Sequence, residues 1–108
     1  MFATVRRYAP LPDSTVVAAT ERANEIGAVL ASVPGSVDAL LIRTREGLLL
    51  LTVGRDEPSL IEAGRRFRAW VDDEIEGFDA AGEPDLWSGP VLTGVLRRPH
   101  QPGGQDAI

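Results

Sequence analysis

The 108-residue chain contains no cysteine and no lysine, and its one histidine is His100. Lacking cysteine, it can form no disulfide, thiolate metal site, iron–sulfur cluster or cysteine nucleophile. Lacking lysine, it has neither a Schiff-base amine nor the lysine of a phosphate-binding P-loop. All eleven basic residues are therefore arginine, a bias that genome base composition accounts for. A lone histidine in the C-terminal tail leaves no basis within one chain for a Ser-His-Asp triad or a multi-histidine metal site. The glycines at 35, 47, 54, 64, 94 and 103–104 form no GxGxxG or Walker pattern, so nucleotide cradling has no support. Long apolar runs are missing too: none reaches the ~18 residues of a membrane span. In MFATVRRYAP the charges follow the short apolar piece, the reverse of a secretory signal. A cytoplasmic protein with no membrane partner is expected. The formal net charge of −5 lacks the basic footprint that nucleic-acid binding requires.

What is present is an ordinary globular composition, 44% hydrophobic and 25% charged, in a chain of single-domain length. FATVRRY (2–8) alternates as a strand, with Phe2, Thr4, Arg6 and Tyr8 opposite Ala3, Val5 and Arg7. Pro10 and Pro12 end it, and Asp13 or Ser14 can cap a helix. Val16, Ala19, Ala23, Ile26, Leu30 and Val33 then recur at intervals of 3, 4, 3, 4 and 3. That spacing predicts one amphipathic helix, stopped by Pro34-Gly35. SVDALLIRT (36–44) reads as a second strand, and the turn Arg45-Glu46-Gly47 leads into LLLLTV (48–53), forming an antiparallel hairpin. Asp56 caps the next helix and Pro58 suits its first turn. Its apolar stripe is Leu60, Gly64, Phe67, Val71 and Ile75, with Phe78 just past the end. Arg65, Arg66 and Arg68 are spaced to meet Asp72, Asp73 and Glu74 one turn on. The acidic run Asp72-Asp73-Glu74-Glu76 splays around the helix axis and reads as a solvated face. Residues 79–90 read as a Gly/Pro/Asp-rich loop carrying Trp87, and VLTGVLRR (91–98) as the fourth strand. Residues 1–97 are expected to form one domain, and 98–108 a Pro/Gly-rich tail.

The resulting order, β-α-β-β-α-β, is that of the ferredoxin-like α+β fold: a four-stranded antiparallel sheet with both helices on one face. The leucine run then poses a physical problem. Leu48, Leu50 and Thr52 point to one face and Leu49, Leu51 and Val53 to the other, so both faces are apolar. Two helices cover only one. A second copy of the chain covering the other is the expectation, with Leu49, Leu51 and Val53 in a homodimer interface.

With these elements placed, the chain resembles the dimeric α+β barrel superfamily, and within it the antibiotic-biosynthesis-monooxygenase-like domains. The resemblance covers residues 2–96. It rests on FATVRRY, on VPG before SVDALLI, and on LLLLTVGRDEPSLIEAGRRFRAWV with its FRAW element. It implies two sheets paired into a closed barrel. Activities in the family include cofactor-independent quinone-forming monooxygenation, haem degradation and isomerisation. Haem degraders resemble this chain at Trp70, but their first-strand Asn is replaced by Arg6 or Arg7, and residues 72–84 hold no histidine. The family's frequent aromatic after Pro-Gly is Ser36 here. The monooxygenases line their cavity with Tyr, Asn and Trp, for which Tyr8, Asn24 and Trp70 are available.

The candidate ligand-binding residues are thus Tyr8, Asn24, Phe67, Trp70 and Arg43, with no cofactor, no metal and no assigned catalytic residue. Each has a plainer alternative. Phe67 and Trp70 can be core packing, Tyr8 an edge tyrosine, and Asn24 a solvent-exposed helix residue. Arg6 and Arg7 point to opposite faces, so one heads for a buried side, and Arg43 raises the same question. An inward arginine either clamps a ligand carboxylate or phenolate or pairs with an acidic residue. Two functions follow. One is a cofactor-independent monooxygenase acting on a hydrophobic aromatic or polyketide-like molecule. The other is a non-catalytic small-molecule-binding dimer of the same fold.

Overall fold

The structure, a computed structural model, describes residues 1–94. Strands β1 (Phe2–Tyr8), β2 (Ser36–Arg43), β3 (Leu48–Gly54) and β4 (Asp85–Pro90) form one sheet in the order β2-β3-β1-β4. Every neighbouring pair is antiparallel. Helices α1 (Asp13–Glu21), α2 (Ala23–Ala31) and α3 (Glu57–Glu74) are joined by a short 3-10 turn, Phe78–Ala81. This is the expected α+β ferredoxin-like fold, with the helices on one side of the sheet.

The sheet register decides which leucines are covered. Leu48, Leu50 and Thr52 share a face with Thr4, Arg6 and Tyr8 of β1, and all six are buried. They meet Leu60, Ala63, Phe67 and Val71 of α3 and Val16, Ala19, Ile26 and Leu30 of α1 and α2 in a single core. At its centre Tyr8, Phe67 and Phe78 pack ring against ring, with centroids 5.3–5.8 Å apart, in the tilted and edge-on geometries aromatic quadrupoles favour. The opposite face carries a cross-strand row of Leu40, Leu51, Val5 and Trp87. Leu40 is 54% exposed and Trp87 56%. Ile42, Leu49 and Val53 flank that row, and no element among the described residues lies over it.

The hairpin turns where expected. Gly47 donates its backbone N–H to Thr44 Oγ1 at 3.0 Å. It approaches so closely that a Cβ there would collide with the carbonyl oxygen of Tyr8. Asp56 caps α3: its Oδ1 accepts from the Ser59 backbone N–H at 3.0 Å and from the Ser59 hydroxyl at 2.6 Å.

Four local expectations need correction. The first helix is two helices, broken at Arg22 (φ −110°, ψ 23°). As one straight helix, residues 13–31 would run about 28 Å, past strands about 23 Å long. The break lets both halves keep contact with the sheet. Just before it the Thr20 hydroxyl donates to the Val16 carbonyl at 2.8 Å, a bond that bends helices, and Ala23 leaves the buried stripe for the surface. Neither Asp13 nor Ser14 caps α1; Pro12 occupies that position and its carbonyl accepts from Thr15 and Val16. Arg65 and Arg66 pair with Glu62, not with the later acids, and only Arg68 meets Asp72. Finally, β4 is 85–90 and not 91–98. As an edge strand it pairs with β1 alone, so it tolerates Gly89 and Pro90, and its exposed side chains carry no alternating signature. Residues 91–94 have no regular structure; 95–98, His100 and the rest of the tail lie outside the described residues.

Candidate functional site

The alternation of β1 sends Arg6 into the covered side of the sheet, between Thr4 and Tyr8. There it is only 8% exposed. Room for it exists because α3 presents Gly64: a Cβ at that position would lie 2.6 Å from Arg6 Nε and nearer still to the rest of the guanidinium. Arg6 Nη2 donates to the Leu60 carbonyl at 3.1 Å. Nη1 is sealed from solvent and has no hydrogen-bond partner among the described residues. None of the ion pairs among those residues involves Arg6. Burial lowers the pKa of Arg6, with Tyr8 acting in the opposite direction. A guanidinium stays charged in a protein regardless, so α3 and β1 enclose a cation that has no counter-ion among the described residues. Such an arrangement is costly unless something else is accommodated there.

Arg6 borders a cleft of about 370 Å³ lined by residues of α3, β1 and β4 and of the segment before β4. Tyr8, Gly64, Arg68, Glu83 and Leu86 share its lining. Burial pushes the Tyr8 pKa up to about 12, against the pull of Arg6 and Arg68. Its phenol is therefore protonated at neutral pH and acts as a hydrogen-bond donor. Arg68 is held at the mouth. It binds Asp72 through Nε at 3.0 Å and the Gly82 carbonyl through Nη1 at 2.6 Å, and its guanidinium stands 5.9 Å from the Tyr8 ring centroid. The walls thus combine a buried cation, a phenolic donor and the apolar side chain of Leu86, with Asp72 and Glu83 as the carboxylates in reach.

A second cleft, about 460 Å³, lies between α2 and β2. Ala23, Gly27 and Ala31 on α2 face Ala39 and Leu41 on β2, with Asp38 its one charged residue. It offers volume and little chemistry.

The five candidate ligand-binding residues are not brought together. Tyr8 alone lines the arginine cleft. Phe67 is fully buried in the aromatic cluster and has no surface to offer. Asn24 is exposed on the first turn of α2. Trp70 packs half-buried against the core, with the Arg22 guanidinium stacked 4.7 Å from its ring. Arg22 is itself held by Glu25 and Glu74. Arg43 is exposed at the end of β2, on the far side of β3 from Arg6. The cleft instead uses Arg6, Gly64, Glu83 and Leu86. The one sequence signal for Arg6 was the Arg6-Arg7 pair on a strand, which forces one arginine inward. Gly64 was legible only as part of a stripe. Among the described residues no three His, Asp or Glu side chains converge as metal ligands. None of the helices there is long and apolar enough to cross a membrane.

Neither a protein-family model nor a curated protein sequence matches the chain. Solved structures do match it in fold, among them monooxygenases and a protein of unknown function. A candidate antibiotic biosynthesis monooxygenase from Nitrosomonas europaea superposes with a TM-score of 0.62 at 13% identity, covering 86% of this chain and 100% of its own. A variant of SnoaB, a cofactor-independent oxygenase from Streptomyces nogalater, gives 0.58 at 12% identity over 89% and 97%. A Streptomyces coelicolor monooxygenase in complex with nanaomycin D gives 0.57 at 14% identity over 90% and 91%. The chain has the fold of these domains.

Proposed function

We propose that the protein is a cytoplasmic homodimer whose α3–β1–β4 cleft receives a hydrophobic, aromatic or polyketide-like small molecule and supports its cofactor-independent monooxygenation. The observation that carries this reading is the buried Arg6, which enters no ion pair among the described residues and lines the same cleft as the protonated Tyr8. A cation and a hydrogen-bond donor favour the anionic form of a phenol or enol placed against them. Such an anion supplies its own electrons to dioxygen. In the net reaction a ring CH2, in the tautomer of the phenol, and O2 give C=O and water. Glu83 or Asp72, both in the cleft lining, would take the phenolic proton, and Leu86 with the aromatic cluster would exclude water.

The dimer belongs to the same reading. The row Leu40, Leu51, Val5 and Trp87 is a contiguous apolar patch, and two such sheets packed face to face would bury both copies. Sedimentation at micromolar concentration should give twice the monomer mass; a stable monomer there ends the dimer claim. The activity is tested with an oxygen electrode and a panel of anthrones, expecting protein-dependent uptake that yields the anthraquinone without hydrogen peroxide and falls at least tenfold in Arg6→Met. Binding of these compounds without oxygen uptake would establish the second reading, a non-catalytic binding dimer. One observation favours that alternative: no histidine lies within residues 1–94, so the cleft has no group whose ordinary pKa is near neutral.

A further inference from the structure

We propose that the α3–β1–β4 cleft selects ligands carrying a carboxylate, which docks on Arg6 with its apolar body along Leu86. The inference rests on the cleft being a ligand site, as proposed above, and adds the chemical class of what it holds.

Three observations support it. Arg6 is more than nine-tenths buried, and of its two terminal nitrogens one is bonded to the Leu60 carbonyl while Nη1 has no partner among the described residues. The same strand carries Arg7 one position away, and there the guanidinium has two carboxylate partners, Glu46 and Asp85. Acidic side chains were thus within reach of β1 and none was placed on Arg6. Third, Gly64 keeps open the space the guanidinium occupies, since any larger residue would displace it.

The geometry also discriminates among anions. Arg6 and Tyr8 stand two apart on one strand face, roughly 7 Å along it, so a small anion cannot be gripped by both without an extended ligand. Once a shift of the lining side chains admits it to the solvent-sealed Nη1, a monoanionic carboxylate can accept from that unpartnered N–H while a second oxygen function of the ligand accepts from the Tyr8 hydroxyl. The lining holds three arginines, Arg6, Arg65 and Arg68, and two carboxylates, Asp72 and Glu83, so its formal excess is a single positive charge, which a monoanion balances and a phosphate dianion exceeds. Charge, donor count and rim together point to a single negative charge on an apolar frame.

The test uses the full chain and three probes of one frame: 2-naphthoate, 2-naphthamide and 2-naphthyl phosphate, titrated calorimetrically. The expected result is binding of the naphthoate about tenfold or more tighter than either of the others. In Arg6→Met that preference should collapse to within about threefold, the naphthamide affinity being retained. The melting temperature of Arg6→Met should be unchanged or higher, because the variant removes a buried charge without a counter-ion. Equal affinity for naphthoate and naphthamide in the wild type overturns the carboxylate proposal and leaves the cleft as a ligand site. Tighter binding of the phosphate, or a naphthoate preference that survives Arg6→Met, overturns it as well. A lower melting temperature, or loss of the dimer, in Arg6→Met would show the guanidinium to be neutralised by a protein carboxylate, and the proposal falls. Failure of all three probes to bind at millimolar concentration overturns both the carboxylate class and the ligand-site reading.

Discussion

The two faces of the sheet are built from the same strands and have opposite fates, and Arg6 and Arg7 show it residue by residue. Arg7 lies on the uncovered face, with Nη1 2.8 Å from Asp85 and Nη2 3.0 Å from Glu46. Both its partners are well exposed, so the pairs are worth little. Arg6, one residue earlier, is enclosed by α3 and enters no ion pair among the described residues. The apolar residues divide in the same way. Leu48 and Leu50 are sealed under helices, whereas Leu49 and Leu51 share a face that no element among the described residues covers. Identical side chains therefore serve as core on one side and as a surface awaiting a partner on the other.

The strongest way to break this comparison is to put a charge on each face in turn. Leu50→Asp places a carboxylate in the core, at a cost above ~4 kcal/mol, and should abolish cooperative unfolding by circular dichroism. Leu51→Asp, its neighbour, should leave the fold intact and convert a sedimenting dimer to monomer. If both variants unfold, or neither changes assembly, the two faces do not divide into core and interface.

A smaller effect is expected at the Arg6 cradle. Gly64→Ala drives a methyl into the guanidinium and should destabilise by about 1–3 kcal/mol in urea. With Arg6→Met in place, the same change should be neutral or stabilising by up to about 1 kcal/mol, the usual helix preference for alanine. Equal effects in both backgrounds would mean that the two residues do not interact.

On the open face Arg7→Ala should cost only about 0.2–1 kcal/mol, with sedimentation showing whether the pairs also frame the interface. The least effect is pH-dependent. Hydrogen bonds from Arg65 and Arg66 hold the Glu62 carboxyl down at about 2, against an ordinary ~4.3. A depressed carboxylate stabilises the fold above its unfolded pKa and loses that contribution as pH falls from about 4.3 through about 2. The stability gap between wild type and Glu62→Gln should therefore narrow from pH 6 to pH 2; a constant gap would exclude the linkage.

Much of this was legible in the residues alone. Local sterics and periodicity suffice for β1, for the LLLLTV strand and its hairpin, for the Asp56 cap and for the α3 stripe, because each depends on neighbours a few residues away. The order of elements and the leucine run even required that one sheet face be left without cover. The fourth strand was not legible: β4 is made by pairing with the distant β1, and its Gly-Pro ending and exposed side chains look like a loop in isolation. The bend at Arg22 is likewise a matter of fitting a helix to a sheet. Above all, the sequence established that Arg6 and Arg7 face opposite ways. Only the tertiary structure decided that Arg6 is the one enclosed, since that depends on where Gly64 of α3 crosses β1. It also removed Asn24, Phe67 and Arg43 from the cleft, because side chains converge through packing between elements and not through their spacing along the chain.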